Sequence, residues 1–117
     1  GNWAFTFRIL DAREPGFALS AIPEKQYTKW LDYDKIRQNL VLRSRQSGDF
    51  FVANADGGRQ KLKKYLIDEK IPQDRRDGIP LLASGSEIWW IVGGRISEAA
   101  RVTEKTKRIL EITAEQE

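Results

Sequence analysis

Apolar and polar residues alternate at the start of the chain. In WAFTFRIL (residues 3–10) every second side chain is apolar, so that one side of an extended backbone would carry Trp3, Phe5, Phe7 and Ile9. This spacing predicts a strand with one buried face, ended by Glu14-Pro15-Gly16. Similar patterns bounded by turn residues predict strands at 27–31, 40–45, 50–53, 80–83, 87–92 and 107–113.

Two of these segments carry further information. Gln-Ser-Gly-Asp at 46–49 has the composition of a turn, so we expect strands 40–45 and 50–53 to pair as a hairpin. Trp89 and Trp90 would point to opposite faces of their strand, among Ile and Val neighbours. This pattern predicts a central strand buried on both sides. Base stacking by one of the two tryptophans stays open as an alternative.

Between residues 59 and 70 the apolar spacing becomes helical. One side of the predicted helix carries Leu62, Tyr65 and Leu66, and the other carries Lys61, Lys64 and Asp68. Ile71-Pro72 would stop this helix, and residues 73–77 would form a short second one. Strands outnumber helices, so we expect an α+β fold with a small mixed sheet, one main amphipathic helix and a short second helix.

Composition limits the class of protein. A length of 117 residues fits one domain. The absence of cysteine and histidine excludes disulfides, thiol nucleophiles and the commonest general base and metal ligand. No uncharged run approaches the ~20 residues of a membrane span, and no leader pattern is present, so we expect a cytoplasmic setting and no membrane. The chain opens Gly-Asn-Trp without methionine, from which we expect a missing N-terminal partner domain.

Residues 57–80 concentrate the basic charge. They contain seven Lys or Arg and four acids, an excess of three that equals the formal net charge of the whole chain. Bases follow Gly57-Gly58 where the first turn of a helix favours acids. This placement suits a bound polyanion such as a phosphate backbone. A solvated basic face, with Lys64 and Asp68 paired at i,i+4, is the alternative.

Other basic residues lie beside turns. Arg43 and Arg45 would project from the same face of their strand, toward solvent or an anion, and Arg95 follows two glycines. Asp74 and Asp77 could pair with Arg75 and Arg76 as surface ion pairs. The chain has no Walker loop, nucleophile elbow or metal-ligand spacing. These features favour a binding module over an enzyme.

Six motifs occur in one order along the chain. They are WLDYDKI (30–36), LRSRQSGD (42–49), QKLKKYLIDEKIP (60–72), DRRDGIPLL (74–82), IVGGRIS (91–97) and VTEKTKRIL (102–110). Together they resemble the C-terminal domain of bacterial tRNA(Ile)-lysidine synthetase over about residues 30 to 112. The resemblance implies a segment at 1–26 that precedes the domain, and a tRNA-binding domain at 27–117.

The resemblance also implies a function for the parent enzyme. Such an enzyme uses ATP, with Mg, to adenylate the anticodon cytidine of a minor isoleucine tRNA and then joins lysine to it. That chemistry belongs to an N-terminal catalytic domain of the same chain, so we expect no cofactor and no catalytic residue in this part. The resemblance implies that the C-terminal module binds the acceptor stem of tRNA(Ile).

The resemblance selects candidate tRNA-binding residues position by position: Arg43, Arg45, Lys61, Lys64, Arg76 and Arg95. The chain departs from the family pattern at Gly94, where relatives often carry a larger residue. Two other functions fit the residues: a generic RNA-binding module of another translation enzyme, and a domain–domain or dimer contact module.

Overall fold

The computed structural model describes residues 2–117, which form an α+β structure. Its strands are β1 (Trp3–Asp11), β2 (Thr28–Asp32), β3 (Leu40–Arg43), β4 (Phe50–Val52), β5 (Arg59–Lys61), β6 (Leu81–Ser84), β7 (Glu87–Ile91) and β8 (Arg108–Gln116). Its α-helices are α1 (Tyr33–Ile36), α2 (Leu62–Asp68) and α3 (Gln73–Arg76), and short 3-10 turns lie at Leu19–Ala21 and Glu98–Ala100. None of these helices is long and apolar enough to cross a membrane.

The chain folds into two compact units, and this replaces the predicted single sheet with two. The first unit contains residues 2–37 and 100–117, and the second contains residues 38–99. The α+β class is confirmed. The predicted sheet count is wrong because hydrophobic periodicity identifies strands but carries no information on which strands share a sheet.

The first unit is built around β8. Its sheet is antiparallel in the order β1-β8-β2, and β8 pairs with β1 from Trp3↔Gln116 to Asp11↔Arg108. A small core of Trp30, Val102 and Ile109 is extended by half-buried apolar side chains that include Phe17. The rings of Phe17 and Trp30 stack with centroids 5.7 Å apart.

The predicted buried face of β1 is buried only in part. Trp3 and Phe5 are half-buried, whereas the side chains of Phe7 and Ile9 are 48% and 49% exposed. Alternation therefore identified the residues that share a face, but not whether another element covers it. β1 is also an edge strand of its sheet, paired on one side only, with β8.

The second unit contains a five-stranded mixed sheet in the order β3-β6-β7-β4-β5. β7 lies at its centre, and Trp89 and Trp90 are both buried, as predicted. The predicted hairpin of strands 40–45 and 50–53 is wrong: β3 pairs with β6, and β4 pairs with β5 and, in parallel, with β7. A turn composition marks a change of direction, whereas strand pairing depends on partners far away in sequence.

The main helix is shorter than predicted. Residues 59–61 form β5 opposite β4, and Lys61 caps α2 in an extended conformation (φ −69°, ψ 137°). The prediction that Lys61 lies on the helix is therefore wrong, because pairing with β4 overrides the local helical spacing. Leu62 and Leu66 of α2 are buried against the sheet core that includes Phe51 and Ile88. The short helix α3 is confirmed.

Glu111 is a half-buried carboxylate on the central strand of the first unit. Its oxygens accept hydrogen bonds from the indole N–H of Trp30 (2.9 Å) and from the Arg8 guanidinium (3.2 Å). The Trp30 bond, with help from Arg8, holds the pKa of Glu111 below its ordinary value. The ionised form is therefore favoured by folding.

Acid titration should reveal this linkage. The contribution of Glu111 is fully present above the ordinary carboxyl pKa of about 4.3 and is lost as pH falls through the lower folded pKa. Glu111→Gln should therefore lose less free energy of unfolding than wild type between about pH 6 and pH 3. The measurement is urea unfolding at each pH.

Glu115→Gln provides the matched control, because Glu115 is an exposed carboxylate on the same strand. The linkage predicts that the free energy of unfolding of Glu115→Gln depends on pH as that of wild type does. An equal pH dependence for wild type and Glu111→Gln would contradict the linkage.

Candidate functional site

A cleft of about 660 Å³ opens on the surface of the second unit. Its walls come from the loop after β3, the junction of β5 and α2, and α3. It is lined by Arg45, Gln46, Ser47, Gly48, Asp49, Lys61, Leu62, Lys63, Leu66, Gln73, Arg76 and Asp77. Four of these side chains are basic and two are acidic, so the lining has an excess of positive charge.

One wall of the cleft depends on a buried ion pair. The guanidinium of Arg43 donates to both carboxylate oxygens of Asp49, at 2.8 and 2.9 Å. The Arg43 side chain is 14% exposed and that of Asp49 is 2% exposed. Arg43 also donates to the backbone carbonyls of Ser44 and Gly85. Its terminal nitrogens are therefore occupied by contacts within the protein.

Asp49 in turn shapes the loop and the start of α2. Its carboxylate accepts a hydrogen bond from the backbone N–H of Gln46 (2.8 Å), and its backbone carbonyl accepts one from Leu62 (2.9 Å). Gly48 has φ +89°, a conformation that costs glycine little. The loop 44–49 is thus held against the entry to α2, and Arg45 lies on the cleft wall.

Lys61 and Lys63 supply the exposed charge of the cleft that no carboxylate of the described residues compensates. Both side chains are exposed, and neither forms an ion pair within the described residues 2–117. Lys61 ends β5 and Lys63 lies in the first turn of α2. The strand-to-helix junction therefore places two cations, two residues apart, on the same cleft.

The two arginines of the cleft have partners. Arg45 donates through Nε to the carboxylate of Asp77 at 2.7 Å. Arg76 is 9% exposed and donates through Nε to the backbone carbonyl of Ile71 at 3.0 Å. The suggested pairing of Asp77 with the neighbouring arginines is therefore wrong, because Asp77 reaches across to a residue 32 positions earlier.

The structure thus brings together three of the six predicted residues: Arg45, Lys61 and Arg76. Arg43 lies behind the cleft wall in its ion pair with Asp49. Lys64 is exposed but does not line the cleft, and its amine contacts the carboxylate of Asp68 at 2.6 Å. That i,i+4 pair was the alternative considered for this residue.

Arg95 also lies outside the cleft. Its guanidinium sits 5.0 Å from the ring centroid of Phe51 and donates to the carbonyl of Ala53. The hydroxyl of the half-buried Tyr65 is close to Gly94, where an added Cβ would lie 2.7 Å from that oxygen. Burial raises the pKa of Tyr65. This region is therefore closely packed, and Gly94 fits the space that Tyr65 leaves.

Sequence reasoning missed Lys63 and Asp77 as cleft residues. On one continuous helix Lys61 and Lys63 would face different directions and could not line the same cleft. In the structure the helix begins at Leu62, so Lys61 lies outside it and this restriction does not apply. The signal that could have found Lys63 was the Gly57-Gly58 turn, which allows residues 59–61 to return along β4 as a strand. No local signal connects Asp77 with Arg45.

The charges that line the cleft suit an anion. In residues 2–117 no three His, Cys, Asp or Glu side chains form a group that could hold a metal ion. Its two carboxylates each face a guanidinium. The exposed ammonium groups of Lys61 and Lys63 are available to phosphate oxygens as point charges.

Comparison with known proteins gives consistent matches. A family model described as "TilS substrate C-terminal domain" matches residues 40–112. The tRNA(Ile)-lysidine synthase of Caldanaerobacter subterraneus subsp. tengcongensis is 48% identical over 87 residues, which cover 74% of this chain and 19% of that protein. The tRNA(Ile)-lysidine synthase of Clostridium tetani is 47% identical over 91 residues, which cover 78% of this chain and 20% of that protein.

A solved structure described as "Crystal structure of TILS C-terminal domain" is similar in fold. It superposes with a TM-score of 0.72 at 23% sequence identity, covering 96% of this chain and 82% of the other. The chain spans about a fifth of the length of the curated relatives it matches.

Arg43 and Arg45 should respond differently to the same substitution. Arg43→Ala leaves the Asp49 carboxylate buried without its partner, so we expect the free energy of unfolding to fall by about 3–5 kcal/mol. Arg45→Ala removes a surface ion pair and should cost less than ~1 kcal/mol. Urea unfolding followed by tryptophan fluorescence measures both. Equal, small losses would show that the Arg43–Asp49 pair does not hold the loop.

Proposed function

The chain belongs to the family of TilS substrate C-terminal domains, and on that premise we propose that it binds the acceptor stem of tRNA(Ile) through the cleft of the second unit. The observation that carries the proposal is that Lys61 and Lys63, which have no ion-pair partner in residues 2–117, lie beside Arg45 and Arg76 on one concave surface. Phosphate contacts of this kind fix the position of a protein on a stem without reading base sequence.

The parent activity fits this division of labour. We propose that the parent protein is the ATP-dependent ligase that joins lysine to the anticodon cytidine, with ATP and Mg held by an N-terminal catalytic domain of the same chain in the cytoplasm. The module at 27–117 would then bind the tRNA at a distance from the anticodon, where lysine is joined. The boundary at residue 27 stays a prediction.

The six residues selected from the sequence would contribute in different ways. Arg45, Lys61 and Arg76, with Lys63 added, would face the phosphates directly. Lys64 would contribute less, because Asp68 already compensates its charge. The internal contacts of Arg43 and Arg95 support roles in positioning the loop and the sheet edge.

A contact module is the second candidate, and one observation favours it. The exposed halves of Phe7 and Ile9 form an apolar strip on the edge strand β1. A pure contact module has no affinity for RNA, so a tRNA titration separates the two candidates. A generic RNA-binding module would bind several tRNAs without selecting a region.

The first test removes the two free cations. Lys61→Ala/Lys63→Ala should weaken binding to many tRNAs alike and flatten the plot of log affinity against log salt by roughly 1–2 units, about 0.7–0.9 for each lost phosphate contact. Stability should change by no more than ~0.5 kcal/mol, because both side chains are exposed. Fluorescence anisotropy at several salt concentrations measures affinity and slope together.

Lys105→Ala/Lys107→Ala is the matched control. It removes two exposed lysines with the same spacing from the loop before β8, so the net charge falls equally while the cleft stays intact. The proposal predicts a wild-type slope for this control. An unaltered slope for Lys61→Ala/Lys63→Ala, or an equal loss in the control, would remove the cleft from the proposal.

The acceptor-stem assignment has its own test. Footprinting of the 117-residue chain on tRNA(Ile) and on unrelated tRNAs should show protected acceptor-stem phosphates in the isoleucine species, and Lys61→Ala/Lys63→Ala should lose that protection. Protection confined to other regions, or spread along the whole tRNA without selection of a region, would favour the generic RNA-binding module.

A further inference from the structure

Asp77 places a carboxylate inside the basic cleft. It follows α3 and meets Arg45, with 2.7 Å between Nε of Arg45 and Oδ1 of Asp77. The Asp77 side chain is 77% exposed and that of Arg45 is 29% exposed. This acid therefore occupies one donor of a cation that otherwise faces an incoming ligand.

The two acids of the cleft differ in how easily a ligand could displace them from their arginine partners. Asp49 is buried and holds Arg43 through two hydrogen bonds, so its loss from the pair would leave buried charges without partners. Asp77 holds Arg45 through one bond at the surface, where such a pair stabilises by only ~0.2–1 kcal/mol. A phosphate oxygen can replace the Asp77 carboxylate on the same guanidinium at small cost.

We propose that the Asp77 carboxylate competes with a phosphate of the ligand for the guanidinium of Arg45, and that this competition limits the affinity of the cleft for nucleic acid. The inference rests on the proposed function, since it concerns the same cleft. A ligand displaces Asp77 only when its other phosphates are held at the same time by Lys61 and Lys63. A single phosphate meets a carboxylate that is always present at high effective concentration.

Displacement of Asp77 has a measurable ionic consequence. In the wild type, the displaced Asp77 carboxylate stays beside the bound phosphate, so Arg45 and Asp77 together bring almost no net positive charge to this contact and it releases almost no salt ions. In Asp77→Asn, Arg45 is free and its contact with phosphate adds one released counterion. The plot of log affinity against log salt should steepen by about 0.7–0.9 units.

The experiment compares Asp77→Asn with Asp74→Asn on a short A-form RNA duplex. Asp74 is an exposed acid of α3, the helix that Asp77 follows, and it does not line the cleft or pair with Arg45, so its removal reports the general effect of one negative charge. Asp77→Asn should bind about 2- to 5-fold tighter than Asp74→Asn and show the steeper slope. Arg45→Ala should then flatten the slope in the Asp77→Asn background and leave it nearly unchanged in the wild type.

The outcomes are distinguishable. Affinity and slope of Asp77→Asn equal to those of Asp74→Asn, with Lys61→Ala/Lys63→Ala still defective, would overturn the competitor role alone. Weaker binding by Asp77→Asn would overturn it in favour of an acid that orients Arg45. No dependence of binding on Lys61 and Lys63 would overturn the proposed function, and this inference with it.

Discussion

The buried pair of Arg43 and Asp49 is the interaction on which the geometry of the cleft depends. Its two parallel hydrogen bonds fix the loop 44–49, and the backbone of Asp49 fixes the first residue of α2. Burying two charges stabilises a fold little, since desolvation offsets most of their attraction. The pair supplies a single conformation, in which Arg43 lies inside the wall and Arg45, in the loop after β3, lies on its surface.

Side chains of the same charge therefore have different roles according to what surrounds them. Among the cations of the second unit, Arg43 and Arg95 are engaged by carbonyls, a carboxylate or an aromatic ring, whereas Lys61 and Lys63 have no such partner in the described residues. A high content of basic residues does not make a binding surface by itself. The surface arises where the protein leaves the charge of its cations uncompensated and concave geometry brings them together.

The sequence was sufficient to predict most of the strands and helices, but it did not predict which strands pair with each other. Period-two alternation located β1 and β8, a continuous apolar run located β7, and the apolar stripe located α2, because these patterns are local. The pairing of β3 with β6 and the start of α2 at Leu62 were missed, because both depend on strands distant in sequence. In the site, motif resemblance identified Arg45, Lys61 and Arg76 as residues that line the cleft, but the ion pair between Arg45 and Asp77 is a tertiary contact with no local pattern.

The arrangement of the first sheet has a consequence for how the chain acquires its structure. β1 and β2 do not pair with each other, and both pair with β8, which comes more than 75 residues after β2. Such long-range pairing requires closure of a large loop before any contact is gained, so it slows folding. During synthesis on the ribosome, residues 38–99 emerge with all five of their strands while β1 and β2 still lack their shared neighbour. The backbone edges of β1 and its apolar side chains are then both uncovered, and unpaired strands of this kind are prone to wrong association during folding.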